Sequence, residues 1–432
     1  MKIRAVYVLI LLLMISFYAS AEILPLQKVL ETTYEKNPDI QLLQAQHDSA
    51  RAKKRLALAP AEPTISISNN DLTEQFHLNT AASTVIQFAQ PLGFPGRAFL
   101  NRSMLNDQAD SLYYQMKAMK LQIGVNVKTA YYNLQLAQEN LKLNADTRFA
   151  LEQILAIAKR RYESGASAQV DYISAQVALL SNQNDLEDLK VAEQQARATL
   201  NVQLKNPVDA LIEAELIPIS GNPSTDLTKI NLNSAIEKML QNRNEILAAQ
   251  SQLRASSKAS KLAWMSILPD FQFLAGTTLY RMPYASPYSG VPDLAASGSW
   301  PTHTYSIGLQ FTVPLWFLLN EREVVVGASH DHLAAERNLD VVFNQSKVAL
   351  ENAVDAIHSN GFKIENFEKH ILPLAEQSLK LALVGYSSGK VDFQTLSAAA
   401  VSRRQARQSH SSAVVAYLIN YAIYQQLIAE AL

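Results

Sequence analysis

Two stretches of the chain resemble each other and decide how the rest of the sequence is read. Residues 152–165 read EQILAIAKRRYESG, and residues 376–389 read EQSLKLALVGYSSG. At a constant offset of 224 positions the two stretches share Glu, Gln, Leu, Ala, Tyr, Ser and Gly. Each ends a helical pattern at a glycine, the residue that favours a left-handed turn after a helix, and another helical pattern follows. The pattern predicts two helical hairpins with tips at Gly165 and Gly389.

The duplication extends to the segments that precede these tips. At an offset of 206 positions, residues 24–59 and 230–268 share helical apolar spacing, and alternating strand residues follow both of them. The mature chain, 22–432, is therefore read as one protomer with an internal duplication. Its parts are repeat one at about 22–205, a linker at about 206–229 and repeat two at about 230–432.

The first 21 residues have the pattern of a secretory signal peptide. Lys2 and Arg4 form a basic start, an apolar run of about 13 residues follows, and residues 19–21 form a small-residue cleavage site. The alternative is a membrane anchor, for which such a run is short. The chain has no cysteine, which excludes structural disulfides, thiolate metal sites, a cysteine nucleophile and lipid attachment at the cleavage site.

Alternating residues predict one β-hairpin in each repeat. Residues 304–313 place Tyr, Ile, Leu, Phe and Val on one face without interruption, and residues 82–90 are a weaker counterpart. We expect the hairpin loops at about 69–82 and 282–303, where turn-forming residues or prolines collect.

Long helical patterns follow each hairpin and make the predicted fold mainly α with a small β part. Pro38 and Pro373 lie inside helical patterns and are expected to interrupt them. In each repeat, two shorter helical stretches add up to about the length of one long helix, which predicts a long helical body. The predicted helices after the hairpins are 96–163, 169–205, 320–386 and 393–429.

Four strands with one apolar face cannot cross a bilayer as an open sheet. Unpaired edges in hydrocarbon cost several kcal/mol per group, and a closed barrel requires at least about eight strands. Three chains would supply twelve strands. The sequence therefore predicts an oligomeric outer-membrane β-barrel joined to a long helical extension. The formal charge of −1 gives no reason to expect a nucleic-acid partner.

The chain resembles the outer-membrane efflux proteins of the TolC family over its mature length. The resemblance rests on the two Tyr-x-Ser-Gly tips and on the phrases at 87–97 and 313–317. Residues 165–179 and 389–396 are most similar to the heavy-metal (CzcC-like) branch. This resemblance implies a homotrimeric passive duct in outer-membrane lipid, with a twelve-stranded β-barrel and a long α-helical barrel. It also implies a periplasmic adaptor (membrane fusion protein), an inner-membrane RND pump and export of metal cations.

The resemblance also implies roles for residues at the tips. Those implied for adaptor docking are Tyr162, Gly165, Ala166, Ser167, Tyr386, Gly389 and Lys390. Gate candidates are Asp171, which matches an acid that pairs with the tyrosine at Tyr386, and Asp392. The family's acidic ring is missing, since Thr395 and Ala398 occupy its positions. The alternatives are ordinary turn residues and a solvated acid.

Other readings of the chain are less well supported by its residues. His330 and His332 suggest a metal site, but positions i and i+2 of a helix face different sides, so solvated positions are expected. The basic run 159–161 lies in the last turn of a predicted helix, where its positive charges are expected to interact favourably with the helix dipole. No catalytic, cofactor or metal residues are assigned, and an enzyme is not expected. Drug efflux, type I protein secretion and a soluble periplasmic coiled-coil scaffold remain alternatives.

Overall fold

The computed structural model describes residues 22–72, 81–215, 230–280, 303–315 and 320–430. The predicted signal peptide, most of both hairpin loops and part of the predicted linker lie outside these ranges. The helices are α1 (Leu26–Lys36), α2 (Pro38–Leu56), α3 (Arg97–Glu163), α4 (Gln169–Leu204), α5 (Leu232–Asn242), α6 (Asn244–Met265), α7 (Glu321–Asn366), α8 (Leu372–Ser387) and α9 (Phe393–Leu427). The strands are β1 (Glu22–Leu24), β2 (Thr64–Leu72), β3 (Ala81–Pro91), β4 (Ile212–Ala214), β5 (Asp270–Tyr280) and β6 (His303–Thr312). None of the described helices combines the length and apolar character needed to cross a bilayer.

The helix interruption predicted at Pro38 is confirmed, and an unpredicted one occurs at the equivalent position of repeat two. Asn37, between α1 and α2, has ψ 120°, and its amide donates to the Thr33 carbonyl at 2.9 Å. Arg243, 206 positions later, also has ψ 120° and donates to Met239 at 2.9 Å. The helical spacing of 230–268 did not predict this break. No proline marks this break in repeat two, so only the repeat itself could have revealed it.

Pro373 also interrupts its helix, as predicted. A π-helical segment, Phe367–Ile371, separates α7 from α8, and Pro373 occupies the first turn of α8. Proline has no N–H to donate, and its ring clashes with the carbonyl of the preceding turn. The wider π-helical turn accommodates that clash while the chain continues as a helix.

The two predicted hairpins are confirmed and form one antiparallel sheet in the order β2-β3-β5-β6. One row across its four strands is apolar: Ile65, Phe88, Ala275 and Ile307. The neighbouring row is polar or small: Ser66, Gln87, Gly276 and Ser306. The outer members of the apolar row are highly exposed, Ile65 at 70% and Ile307 at 81%. The alternation of the sequence thus gives the sheet one apolar face.

The chain divides into two compact units. Unit 1 comprises Met1–Leu43, Gln115–Ile246 and Phe343–Leu432, and it contains both tips. Unit 2 comprises Gln44–Tyr114 and Leu247–Val342, and it contains the four-stranded sheet.

Part of the predicted linker belongs to the core of unit 1. Strand β4 pairs in parallel with β1, and Ile212 and Ala214 are buried against α3 and α4 residues. The Tyr131 hydroxyl accepts a hydrogen bond from the Glu215 amide at 2.8 Å. The fully buried Asn201 amide donates to two carbonyls of residues 206–215. The prediction that the linker begins at 206 was wrong for these residues, because buried apolar side chains and satisfied amides fix them.

In unit 2, Arg97 connects the start of α3 to the second hairpin. Its guanidinium donates to the Asp270 carboxylate and to the Met265 carbonyl, both at 2.6 Å. These groups lie at the start of β5 and the end of α6. One side chain therefore satisfies a helix end and fixes it beside the sheet.

Candidate functional site at the helical tips

The two tips have the same backbone geometry. Gly165 has φ +73° and Gly389 has φ +77°, values that glycine adopts without a steric penalty. Each glycine amide donates to the carbonyl three residues earlier, at 2.9 and 3.1 Å, and each following amide donates to the carbonyl five residues earlier, at 2.8 and 2.9 Å. This pairing is a Schellman motif, which satisfies the last carbonyls of a helix. The predicted hairpin tips are confirmed.

A small apolar core holds the helices together beneath the tips. It contains Ala158 and Ala175 of repeat one together with their equivalents in repeat two, Ala382 and Ala399. All four are buried, and their short side chains allow the helices to approach closely. The sequence repeat is therefore also a repeat of packing positions.

The equivalent tyrosines of the two repeats have opposite environments. Tyr162 is 41% exposed and stacks on Tyr172 with ring centroids 6.1 Å apart. Tyr386 is 1% exposed and contacts Phe393 edge to face at 5.9 Å. Tyr386 was predicted to be part of a docking surface, and its burial contradicts that role within this chain. The side chain of Arg161 lies over its ring, and Asp171 contacts its hydroxyl.

Asp171 and Tyr386 lie together, as the family resemblance implied. The Tyr386 hydroxyl donates to the Asp171 carboxylate at 3.4 Å, at the long end of the range for a hydrogen bond. Burial, followed by the Asp171 negative charge, raises the pKa of the Tyr386 phenol. The phenol is therefore held protonated as a donor to this carboxylate.

Arg161 is the tip residue that sequence reasoning missed. Its guanidinium donates to the Tyr386 carbonyl and, at 2.9 Å, to the Ala166 carbonyl. Its Cζ also lies 4.8 Å from the centre of the Tyr386 ring. The helix-dipole interpretation of run 159–161 did not indicate these partners. The sequence signal that could have identified Arg161 is its replacement by Gly385 at the equivalent position of repeat two.

Asp392, the other gate candidate, has a structural partner of its own. It is the N-cap of α9, and its carboxylate accepts a hydrogen bond from the Thr395 amide at 2.8 Å. Hydrogen bonding to Thr395 lowers the pKa of this carboxyl group. Capping accounts for an acid at this position. Of the other residues predicted for docking, Ser167 is half-buried. The remaining ones are exposed at the tips: Tyr162, Gly165, Ala166, Gly389 and Lys390.

The two histidines of α7 differ in environment. His330 is exposed, whereas His332 is half-buried, with its Nδ1 3.2 Å from the Ser256 hydroxyl. The expectation of two solvated positions was wrong for His332, because α6 supplies it with a polar partner. Over the ranges that the structure describes, no three His, Cys, Asp or Glu side chains are grouped to hold a metal ion.

Solved structures of outer-membrane channels have the same fold as this chain. The structure of CusC aligns with TM-score 0.76 and 18% identity, covering 96% of both chains. The structure of the outer membrane protein VceC from Vibrio cholerae aligns with TM-score 0.75 and 15% identity, covering 94% of this chain and 96% of that one. The predicted fold, mainly helical with a small β part, is confirmed.

A family model provides the corresponding evidence from sequence. Residues 29–204, which contain the first tip, match the model described as outer membrane efflux protein. The chain is TolC-like in fold, and its first repeat is similar to the outer membrane efflux protein family. The family that this model describes is one of efflux proteins.

A curated relative is consistent with the same family and indicates the location. The pyoverdine export outer membrane protein OpmQ of Pseudomonas putida is 24% identical over 243 residues, which is 55% of this chain. The match spans about half the length (49%) of that relative. The protein is located in the outer membrane, with a periplasmic extension, and not in the periplasm as a soluble scaffold. These relatives do not single out the heavy-metal branch.

Proposed function

We propose that this protein is an outer-membrane efflux protein, one subunit of a passive homotrimeric duct through which a tripartite exporter releases its cargo. The observation that carries the proposal is the sheet, whose apolar face is exposed and whose outer strands, β2 and β6, end the described sheet on either side. In outer-membrane lipid such edges require partners, because each unsatisfied backbone group costs several kcal/mol. Pairing β2 of one subunit with β6 of the next closes a twelve-stranded barrel in three copies.

The oligomeric state tests this proposal directly. The mature protein is extracted from outer membranes in mild detergent and its mass is measured by light scattering. A trimer is expected. A monomer that remains folded and soluble would contradict the barrel, because one sheet of four strands cannot satisfy its own edges in lipid.

The tips are proposed to receive a periplasmic adaptor, which connects the duct to an inner-membrane RND pump. Their exposed residues, with Lys390 as a cation, form the proposed docking surface. In the closed duct, Asp171 and Tyr386 form a lock between the helices after the first tip and before the second. Asp392 remains a gate candidate alongside its capping role.

The lock is tested with Asp171→Ala in planar bilayers. We expect more frequent openings and a higher mean conductance, because the Tyr386 hydroxyl loses its acceptor. Asp188→Ala is the matched control, since Asp188 is an exposed acid of the same helix. Conductance and sensitivity of the host to large antibiotics that both match the control would contradict the lock.

The proposed cargo is heavy-metal cations, on the resemblance of residues 165–179 and 389–396 to the metal-exporting branch. The match to a pyoverdine export protein favours a second candidate, a small organic siderophore. Deleting the gene and restoring it separates the two candidates. Loss of tolerance to metal salts supports cations, whereas unchanged tolerance with siderophore retained in the periplasm supports the organic cargo.

A further inference from the structure

We propose that Arg161 is a positioning residue that fixes the second tip against the first and thereby holds Tyr386 beside Asp171. This inference deepens the lock of the proposed function and rests on it for its consequence in the channel. The Arg161 side chain reaches from repeat one into the turn of repeat two.

The contacts of Arg161 join both turns. One guanidinium group donates to the last helical turn before Gly389, through the Tyr386 carbonyl, and to the loop after Gly165, through the Ala166 carbonyl. The same group lies against the face of the Tyr386 ring. Its Nη2 is 3.4 Å from the position that a Cβ on Gly389 would occupy. Movement of one tip relative to the other must break these contacts together.

The neighbouring cations do not share this arrangement. Lys159 is exposed and 3.9 Å from Glu163, in an ordinary surface pair one helical turn apart. Arg160 is exposed and, over the part of the chain that the structure describes, has no ion pair or side-chain hydrogen bond. Favourable interaction with the helix dipole would apply to all three residues. The specific partners of Arg161 therefore need a separate explanation.

The contacts that Arg161 and Asp171 make with Tyr386 have no counterpart around Tyr162, because the two repeats differ at these positions. The equivalent of Arg161 is Gly385, and the equivalent of Asp171 is Thr395. A side chain at Gly385 would meet Val391, whose Cγ2 lies 2.5 Å from the ideal Cβ position. Repeat one thus supplies both groups that hold a tyrosine, and repeat two supplies the tyrosine that is held. The exposure of Tyr162, which has no such groups in the equivalent place, follows from the same difference.

Of the two charged side chains that contact Tyr386, Arg161 makes the stronger contact. The Asp171 bond is long, at 3.4 Å, whereas Arg161 donates charge-assisted bonds to two carbonyls and covers an aromatic face. Both contacts involve a charged group, so the difference lies in the length of the Asp171 bond and in the additional ring contact of Arg161. Tyr386 is therefore held mainly by Arg161.

Hydrogen exchange of the full-length trimer in detergent tests the positioning role without using channel activity. In Arg161→Gln, we expect amide exchange in residues 384–392 to accelerate about tenfold, equivalent to about 1.4 kcal/mol of local opening free energy. Arg160→Gln is the matched control and is expected to leave exchange unchanged. Asp171→Asn is expected to have a smaller effect than Arg161→Gln. Equal exchange in Arg161→Gln and Arg160→Gln would overturn the inference, as would a larger effect of Asp171→Asn.

Arg161→Lys provides a conservative variant that keeps the charge. A lysine cannot donate to two divergent carbonyls with a rigid planar group, so we expect an intermediate acceleration. Wild-type protection in this variant would contradict the role of the guanidinium fork. Conductance of the same variants separates the positioning role of Arg161 from the gating role of the lock. Accelerated exchange with unchanged conductance would uphold Arg161 as a positioning residue and reject the lock as the gate.

Discussion

Gly385→Ala adds one methyl group at the most crowded helical glycine of the second tip. Gly385 lies in α8, four residues before the turn glycine Gly389. An ideal Cβ there would be 2.5 Å from Val391 Cγ2 and 3.2 Å from Val391 Cβ. Because the second of these atoms is next to the backbone, rotating the valine side chain does not remove the overlap. Residues 390 and 391 must move.

Two opposing terms set the size of the effect. Replacing glycine by alanine inside a helix stabilises it by about 1 kcal/mol. Overpacking a tight contact costs about 1 to 3 kcal/mol. Displacement also weakens the turn itself, because the Gly385 carbonyl accepts from the Lys390 amide at 2.9 Å and the Val391 amide at 3.3 Å. The two terms leave a net cost of about 0 to 2 kcal/mol, and the weakened turn adds to it, so we expect local destabilisation of about 1 to 2 kcal/mol.

Gly327 provides the matched control for the same substitution. It lies in α7, and an added Cβ would meet nothing within 4 Å. Gly327→Ala should therefore show the helix-propensity gain alone, up to about 1 kcal/mol, with the opposite sign. In the double variant Gly385→Ala/Val391→Ala, the crowding is relieved, and protection of the tip should return toward that of the wild type.

Hydrogen exchange followed peptide by peptide measures these local free energies. We expect exchange in residues 384–392 to accelerate about five- to thirty-fold in Gly385→Ala, the range that corresponds to 1 to 2 kcal/mol. Exchange across residues 321–335 should slow in Gly327→Ala. If Gly385→Ala slowed exchange at the tip, the packing derived for Val391 would be refuted, because helix propensity alone would then determine the outcome.

Three further predictions concern other parts of the chain. Arg97→Ala should lower the free energy of unfolding of unit 2 by on the order of 2 kcal/mol, because a helix end and a carboxylate lose their shared donor. The thermal midpoint of unit 2 should fall accordingly. Arg102→Ala, which changes an exposed arginine of the same helix, should not lower that midpoint. Asn201→Ala should cost about 2 to 3 kcal/mol in the denaturant stability of unit 1, since two carbonyls lose their donor, and an unchanged midpoint would contradict this. Burial raises the pKa of Tyr417 to about 12, so its contribution to stability is complete below pH 10 and is lost as the pH rises through 12. Tyr417→Phe should reduce that alkaline loss in a pH series of thermal midpoints.

The hairpins and tips could be predicted because their signals are local. Strict alternation in 304–313 requires one apolar face, and a glycine after a helical pattern permits the left-handed turn at 165 and 389. The sequence repeat also predicted which positions of the two repeats are structurally equivalent. It could also have predicted the break at Arg243, since Asn37 occupies the same place before a proline. The pairing of Asp171 with Tyr386 came from resemblance, and the structure places the two groups 3.4 Å apart.

Contacts between distant segments could not be predicted in the same way. Strand β4 pairs with β1 across nearly two hundred residues, and neither three-residue strand has a readable alternation. The buried position of Asn201 depends on carbonyls that reach it only after the chain has turned back. Likewise, the half-burial of His332 depends on Ser256 of another helix.

By itself, the sequence determined the duplicated order of helices and strands, the apolar face of the sheet and the two glycine tips, because backbone preference and side-chain periodicity act over a few residues. Only the tertiary structure decided that the two equivalent tyrosines have opposite environments. Tyr386 is buried and Tyr162 is exposed. The reason is that Arg161 and Asp171 reach across from the other repeat, and such a contact depends on the packing of two hairpins and not on the residues adjacent to either tyrosine.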